Sequence, residues 1–297
     1  MNKGIGTLTA FNEDRSVNAI IETPKGSAIK YSWSSKSNLF RAKRTLPHGR
    51  MELIHIGTSG WSYKEWAEDF YKGVRQREQF HFYTTRFSTV ELNNTFYRLP
   101  LLSTVRAWRA QAPANFIFAV KGSRYITHIL RLSNLGRGLG NFMRRIEPLR
   151  EKTGPVLWQL PPNFKPDLPR LEKFLKRLPK KYSHAIEFRH PDWVADTTFE
   201  LLRKYNAAFV WVSSMRMPQN FSVTSDFVYA RFHGLSGGAH HDYTAAELEP
   251  WAEQIRACVS EGKRVFAYFN NDLNVRAPKN AEMLLRLCGS AGILPAG

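Results

Sequence analysis

Cysteine is scarce: Cys258 and Cys288 are the only two in 297 residues, and their spacing forms no Cys-x-x-Cys pair. A disulfide framework or a thiolate metal site is therefore excluded as the organising principle, and both residues are expected as reduced thiols within helices. Long apolar runs are also missing. No stretch approaches the ~20 residues that cross a bilayer, and the N-terminus has no apolar segment of the signal-peptide kind, so a cytoplasmic protein with no membrane partner is expected. Acidic residues are few, with 25 Asp and Glu against 43 Lys and Arg for a net charge of +18. That excess favours a small anionic or phosphorylated molecule, or nucleic acid, as partner. No cofactor is strongly implied, and composition says nothing of oligomeric state. What the chain does have is apolar mass, 43% hydrophobic and 13% aromatic, enough to bury one large core and to argue against wholesale disorder.

Residues 1–50 differ from the rest. They hold nine Lys or Arg against three acids, Glu13, Asp14 and Glu22. Alternating runs at 17–22 and 28–33, separated by Pro24-Lys25-Gly26, predict a small β-hairpin, so a short β-rich or disordered extension is expected. The stretch VNAIIETPKGSAIKYSWSSKSNLFRAKRTLPHG resembles the opening of soluble inorganic pyrophosphatases. The resemblance implies phosphate- and metal-binding roles for Glu22, Lys30 and Arg44. It ends before that family's aspartate-rich metal site, and without several carboxylates to hold divalent cations no hydrolytic nucleophile is generated. No pyrophosphatase activity is expected; the segment reads as a fusion remnant, an early start, or a basic arm. Residues 290–297 are expected to form a disordered tail.

From residue 51 to 289 strand and helix patterns alternate. Strands are predicted at 53–59, 89–93, 116–121, 156–160, 185–189, 208–213, 228–233 and 265–270. Helices are predicted between them at 76–87, 101–112, 137–150, 168–178, 197–205 and 245–261, with a last one at 280–287. Thr244 and Glu247 form a capping box, and Gly262 marks a helix end. Eight βα units in about 240 residues, with no G-x-G-x-x-G after a strand, predict an α/β fold of the TIM (β/α)8 barrel type.

Polar residues gather at the C-terminal ends of these strands, where barrels place their chemistry. In AIEFRHPDW, Glu187 and Arg189 share a strand face, and Pro191 ends the strand. Strand seven puts Tyr229, Arg231 and His233 on one face. Strand one runs into Trp61 and Tyr63, strand two carries Glu91 and Asn93, strand three ends in Lys121, strand four in Gln159, and strand eight in Asn270, Asn271 and Asp272.

The motifs IGTSGWSYKEW, VELNNTFYRLP, FAVKGSRYITH, LWQLPPNF, AIEFRHPDW, YARFHG and YFNND together resemble the YecE-like proteins, domain-of-unknown-function family 72. The resemblance runs from about residue 53 to 288 and implies a TIM barrel whose activity is open.

Several readings of the strand ends compete. A glycosidase of the retaining barrel type needs carboxylates from strands four and seven, where this chain has Gln159, Arg231 and His233. A divalent-metal-dependent hydrolase or isomerase would draw ligands from Glu91, Glu187, His190, His233 and Asp272, although no compact His-x-His or His-Glu-x-x-His spacing is present. A metal-free enzyme acting on an anionic substrate uses more of the polar set. Lys121, Arg189 and Arg231 would clamp the anion. Glu187, His233 and Glu91 are the candidate catalytic groups. Asn93, Gln159, Asn270 and Asn271 would orient the substrate, and Trp61 and Tyr63 would stack on it or pack over the mouth. Against these stands a structural reading in which Glu91 with Arg231, or Glu187 with Arg189, only satisfy one another. A non-catalytic alternative is a nucleic-acid-binding or adaptor protein, resting on the arginines Arg124, Arg131, Arg137, Arg144, Arg145 and Arg150 near Tyr125 and Phe142.

Overall fold

In the computed structural model, residues 52–289 are described in full; before them only the backbone of four strands is described. These are β1 (Leu8–Phe11), β2 (Ser16–Glu22), β3 (Ala28–Ser34) and β4 (Arg41–Arg44), which pair antiparallel in the order β1-β2-β3-β4. The expected hairpin is the β2–β3 pair, with Val17 opposite Trp33 and Glu22 opposite Ala28, and a strand flanks it on each side. The side chains of Glu22, Lys30 and Arg44, and the tail at 290–297, lie outside the described residues.

The remainder is a barrel of eight parallel strands. They are β5 (Ile54–Thr58), β6 (Thr89–Leu92), β7 (Ile117–Lys121), β8 (Thr153–Gln159), β9 (His184–Glu187), β10 (Ala207–Ser213), β11 (Phe227–Phe232) and β12 (Arg264–Phe269). From β6 to β12 each strand pairs with the next in sequence, β12 pairs with β5, and a Ser59–Glu91 bridge closes the ring between β5 and β6. Sequential parallel order requires a crossover after every strand. Helices α1 (Gln79–Arg86), α2 (Asn94–Tyr97), α3 (Leu102–Gln111), α4 (Gly138–Ile146), α5 (Leu168–Arg177), α6 (Asp196–Lys204), α7 (Ala245–Ser260) and α8 (Arg276–Leu287) supply the crossovers and the final layer, except between β10 and β11, where the connection at 214–226 contains no helix. The capping box at α7 is formed: Glu247 Oε2 accepts from Thr244 N–H at 2.8 Å. At α5, Asp167 accepts from Arg170 N–H at 3.0 Å.

In parallel register, partners share a face. Leu157 pairs with Ala185 and Gln159 with Glu187, so these point into the barrel while Trp158 and Ile186 point out to the helices. Trp158 packs against Phe174 of α5 (5.2 Å between ring centroids) and Phe142 of α4 (5.5 Å). Phe209 meets Phe199 of α6, and Phe232 meets Trp251 of α7. Each such buried ring contributes about 2–3 kcal/mol of apolar transfer. Gly122 is required here, because a Cβ would fall 2.3 Å from Trp158.

The barrel floor is aromatic. His55 stacks on Phe266 (4.7 Å, 11°), and burial lowers its pKa to about 4, so it is neutral. Above it Tyr229 and Tyr268 lie 5.3 Å apart, and the Tyr268 and Thr89 hydroxyls meet at 2.7 Å.

The β5–β6 seam is held by a side chain. The Tyr83 hydroxyl of α1 accepts from Thr58 N–H at 3.0 Å and lies 3.1 Å from Thr89 C=O, standing in for a strand-to-strand hydrogen bond. A Cβ on Gly57 would come within 2.4 Å of Thr89 C=O, so only glycine lets the seam close.

Candidate functional site

At the C-terminal end of the barrel a charged cluster sits on that aromatic floor. Its centre is Arg231 of β11, whose side chain is wholly buried. Nη2 donates to Glu91 Oε2 and Nη1 to Glu187 Oε2, both at 2.7 Å. Glu91 also accepts from Ser59 Oγ and from the Tyr229 hydroxyl, each at 2.7 Å. Gln159 Oε1 lies 3.4 Å from Arg231 Nη1. Removing three charges from water is costly unless they satisfy one another, and here β6, β9 and β11 each contribute one.

The electrostatics follow from this contact. Burial pushes the Glu91 carboxyl upward, but Arg231, Lys121 and the hydrogen bonds from Tyr229 and Ser59 outweigh it and hold it below its ordinary range. For Glu187 burial is likewise overcome, by Arg189 first and Arg231 next, and its pKa lies well below the usual carboxylate value. Both glutamates are therefore ionised at neutral pH, and Arg231 is held firmly protonated.

Further polar groups surround this triad. Arg189, just past β9, forms an ion pair with Glu187. His233 Nε2 lies 2.9 Å from Arg189 Nη2 and 3.1 Å from Glu187 Oε1, and its Nδ1 lies 3.0 Å from the Asn270 amide. Burial, then Arg189, lowers the His233 pKa to about 4, so the ring is neutral. Its two tautomers differ in whether Nε2 donates to Glu187 or accepts from Arg189.

Lys121 ends β7 with its side chain almost covered and its Nζ 4.4 Å from the Phe96 ring centroid. Burial, then Arg231, lowers its pKa to about 8. On the turn after β7, His128 is depressed to about 4 by burial and by Arg124, Lys121, Arg131 and Arg189. This side of the mouth is thus crowded with positive charge.

Across the mouth, Asp272 behaves in the opposite way. Burial pushes its carboxyl up to about 7, against the pull of Tyr63 and Arg231. Its Oδ1 is buried without a hydrogen-bond partner among the described residues. The Tyr63 hydroxyl donates to Ser59 C=O, and its ring packs 4.7 Å from Trp66.

Glu91, Lys121, Gln159, Glu187, Arg189, Arg231, His233 and Asn270 therefore come together, with Tyr63 and Asp272 at the rim. Asn93 follows β6 with Oδ1 buried and unpartnered. Three expected residues are directed elsewhere. Asn271 donates to His241 C=O at 2.8 Å and to Asn280 Oδ1 at 2.7 Å, tying the β12 end to α8. Trp61 packs against Phe80 and Trp108 of α1 and α3. His190 lies beyond the end of β9 and pairs with Asp192. The candidate metal ligands do not gather as a set, because Arg231 occupies the space between Glu91 and Glu187; the described residues contain no group of three or more His, Cys, Asp or Glu arranged to hold a metal ion. Ser59 and Tyr229, not expected as site residues, complete the shell around Glu91. Tyr229 was detectable by its shared face with Arg231, two residues on.

Among the described residues no helix is long and apolar enough to cross a membrane. The profile of a family described as "Protein of unknown function DUF72" matches residues 55–295. Similar proteins include the UPF0759 protein YecE of Escherichia coli strain K12, 34% identical over 144 residues, which are 48% of this chain and 51% of that one. The match thus spans about half the length of that relative. The UPF0759 protein YunF of Bacillus subtilis strain 168 is 24% identical over 268 residues, covering 79% of this chain and 94% of that one. A DUF72 family crystal structure from Thermotoga maritima MSB8 superposes with a TM-score of 0.67 at 28% identity, covering 79% of this chain and 98% of that one.

Proposed function

The chain belongs to the DUF72 family, and from that starting point we propose that its barrel mouth binds a small anionic substrate and moves a proton on it. The charge balance carries this reading. Lys121, Arg189 and Arg231 face only two fully ionised carboxylates, Glu91 and Glu187, because Asp272 is half neutral near pH 7. The uncompensated positive charge lies toward Lys121 and Arg189, beside His128. A guanidinium fork and an ammonium at the same strand ends suit a phosphate or carboxylate group.

Roles follow from acidity. Glu187 and Glu91 are too acidic to be effective bases at neutral pH; they fix Arg231 and orient His233. Asp272, at about 7, has the acidity of a proton donor or acceptor near neutral pH. His233 is a neutral imidazole whose low pKa is set partly by Arg189. A bound anion offsets that charge and makes the ring more basic, so substrate binding would prepare His233 to take a proton. Asn93 and Asn270 supply directional hydrogen bonds. The test is a thermal-shift comparison of phosphorylated and carboxylated metabolites with neutral analogues. Stabilisation by the anions alone, lost in Arg189→Ala, supports the reading; equal response to neutral analogues counts against it.

A second reading, polyanion binding, has one observation in its favour. Tyr97, Leu101, Tyr125 and Ile129 are exposed apolar side chains in the segments that follow β6 and β7. Nearby, Arg144 and Arg145 line a cleft of about 370 Å³ with Leu99, Leu102 and Asn141. Exposed rings beside arginines suit stacked bases and phosphates. Single-strand affinity falling steeply with salt and lost in Tyr125→Ala would support it.

A further inference from the structure

Two lysines of the barrel are buried, and they differ in a way that bears on chemistry. Lys152 is satisfied: its ammonium donates to Ala112 C=O at 2.6 Å and to Pro113 C=O. That is what a structural buried lysine requires, since each desolvated N–H needs an acceptor. Lys121 has no such arrangement. Its side chain is nine-tenths covered, and its Nζ makes no hydrogen bond or ion pair among the described residues, resting instead over the Phe96 ring. The carboxylates that would pair with it are engaged elsewhere, Glu91 by Arg231, Ser59 and Tyr229, and Glu187 by Arg231 and Arg189. An amine desolvated beside other cations is the setting in which lysine becomes a nucleophile.

We propose that Lys121 attacks the carbonyl carbon of an aldehyde or ketone substrate that also carries an anionic group, forming an imine. This rests on the anion-binding reading of the mouth and adds the substrate class. The lone pair of Nζ forms the C–N bond, giving a carbinolamine. The C–O bond then breaks, and the oxygen leaves as water with the two protons that the amine loses. No oxidant or reductant is consumed. Arg189 holds the substrate's anionic group, and Glu91 and Glu187 stabilise the positive charge of the protonated imine. The lowered pKa of Lys121, about 8, is consistent with this step: roughly a tenth of the amine is neutral at pH 7, a few hundred-fold more than for an ordinary lysine.

The experiment is reductive trapping on the full chain. The protein is incubated with glyoxylate, which has an aldehyde beside a carboxylate, then treated with sodium borohydride and mapped by peptide mass spectrometry. Acetaldehyde serves as the uncharged probe, and thermal melts with inorganic phosphate are run alongside. The expected result is carboxymethyl-lysine concentrated at Lys121, rising as pH passes through about 8, with at least ten-fold less label at any other lysine. It is absent in Lys121→Arg, which keeps the charge, and in Lys121→Met, each checked by its melt to be folded. Label spread evenly over surface lysines, or unchanged in total when Lys121 is replaced, overturns the proposal. Equal labelling of Lys121 by acetaldehyde overturns the anionic substrate class. Phosphate stabilisation with no adduct at Lys121 removes the imine and leaves the anion site standing, so the two failures are distinguishable.

Discussion

Glu187 and Arg231 meet at 2.7 Å with neither side chain exposed to solvent, and the same guanidinium reaches Glu91 at the same distance. One buried cation is therefore shared by two buried carboxylates, from β6 and β9. Arg231→Met would leave Glu91 without its hydrogen-bonded cation and Glu187 with Arg189 alone, and the expected loss is about 3–5 kcal/mol of unfolding free energy, measured by urea denaturation. Adding Glu91→Gln and Glu187→Gln should recover part of it. A loss below about 1 kcal/mol for Arg231→Met would show that the triad is hydrated and not buried.

Much of this site follows from period-two alternation. Tyr229, Arg231 and His233 share a face because β11 is regular to Phe232, and pairing of Arg231 with Glu91 was among the expected contacts. The pattern fails where the strand stops. β9 ends at Glu187 and β12 at Phe269, so Arg189, His190 and Asn271 lie where alternation no longer assigns a face. Arg189 returns to Glu187, while His190 and Asn271 do not. Trp61 sits on a loop whose partners, α1 and α3, are distant in sequence. Tyr83 illustrates the same limit: by pattern it is helix core, and only the gap between β5 and β6 gives its hydroxyl a role. The acidity of Asp272 has no sequence signal, since it arises from burial beside Glu91.

Asp272 makes a signed prediction. Its folded pKa, about 7, exceeds the ordinary 3.8, so the folded chain holds the proton more tightly than the unfolded one. The contribution to stability is present below pH 4 and is lost as pH rises through 7. Asp272→Asn should therefore stabilise the fold at pH 8 and change little at pH 4, as measured by thermal unfolding at both. Destabilisation at pH 8 would contradict a carboxyl whose burial outweighs its polar contacts.

Acid should destabilise the wild type through the opposite sign. Glu91 and Glu187 lie below, and His233 also falls below, its ordinary value. This contribution is full above about pH 6.5, is lost first as pH falls from 6.5 toward 4 through His233 together with His55, His128 and His184, then further below about 4.5 as the glutamates protonate. His233→Gln should reduce the first phase by its own share and leave that of the other three; an unchanged profile would mean that His233 titrates like an exposed ring.

Tyr83→Phe tests the seam. It removes one hydroxyl and leaves Thr58 N–H buried without an acceptor, at an expected cost of about 1–3 kcal/mol. Hydrogen exchange at the Thr58 amide should accelerate more than at Ala267 on β12. Equal change at both would place the effect in global stability and not in the seam.

The anion site is tested most directly at His233. With ¹⁵N-labelled histidine, its ring nitrogens, assigned by comparison with His233→Gln, are followed by NMR from pH 3 to 8 with and without inorganic phosphate. Without phosphate the midpoint is expected near 4, because burial and Arg189 oppose the charged ring. Phosphate bound at Arg189 offsets that charge, so the midpoint moves up by at least one unit, and Arg189→Ala abolishes the phosphate dependence. A midpoint unmoved by phosphate, or a shift that persists in Arg189→Ala, would contradict an anion-binding mouth.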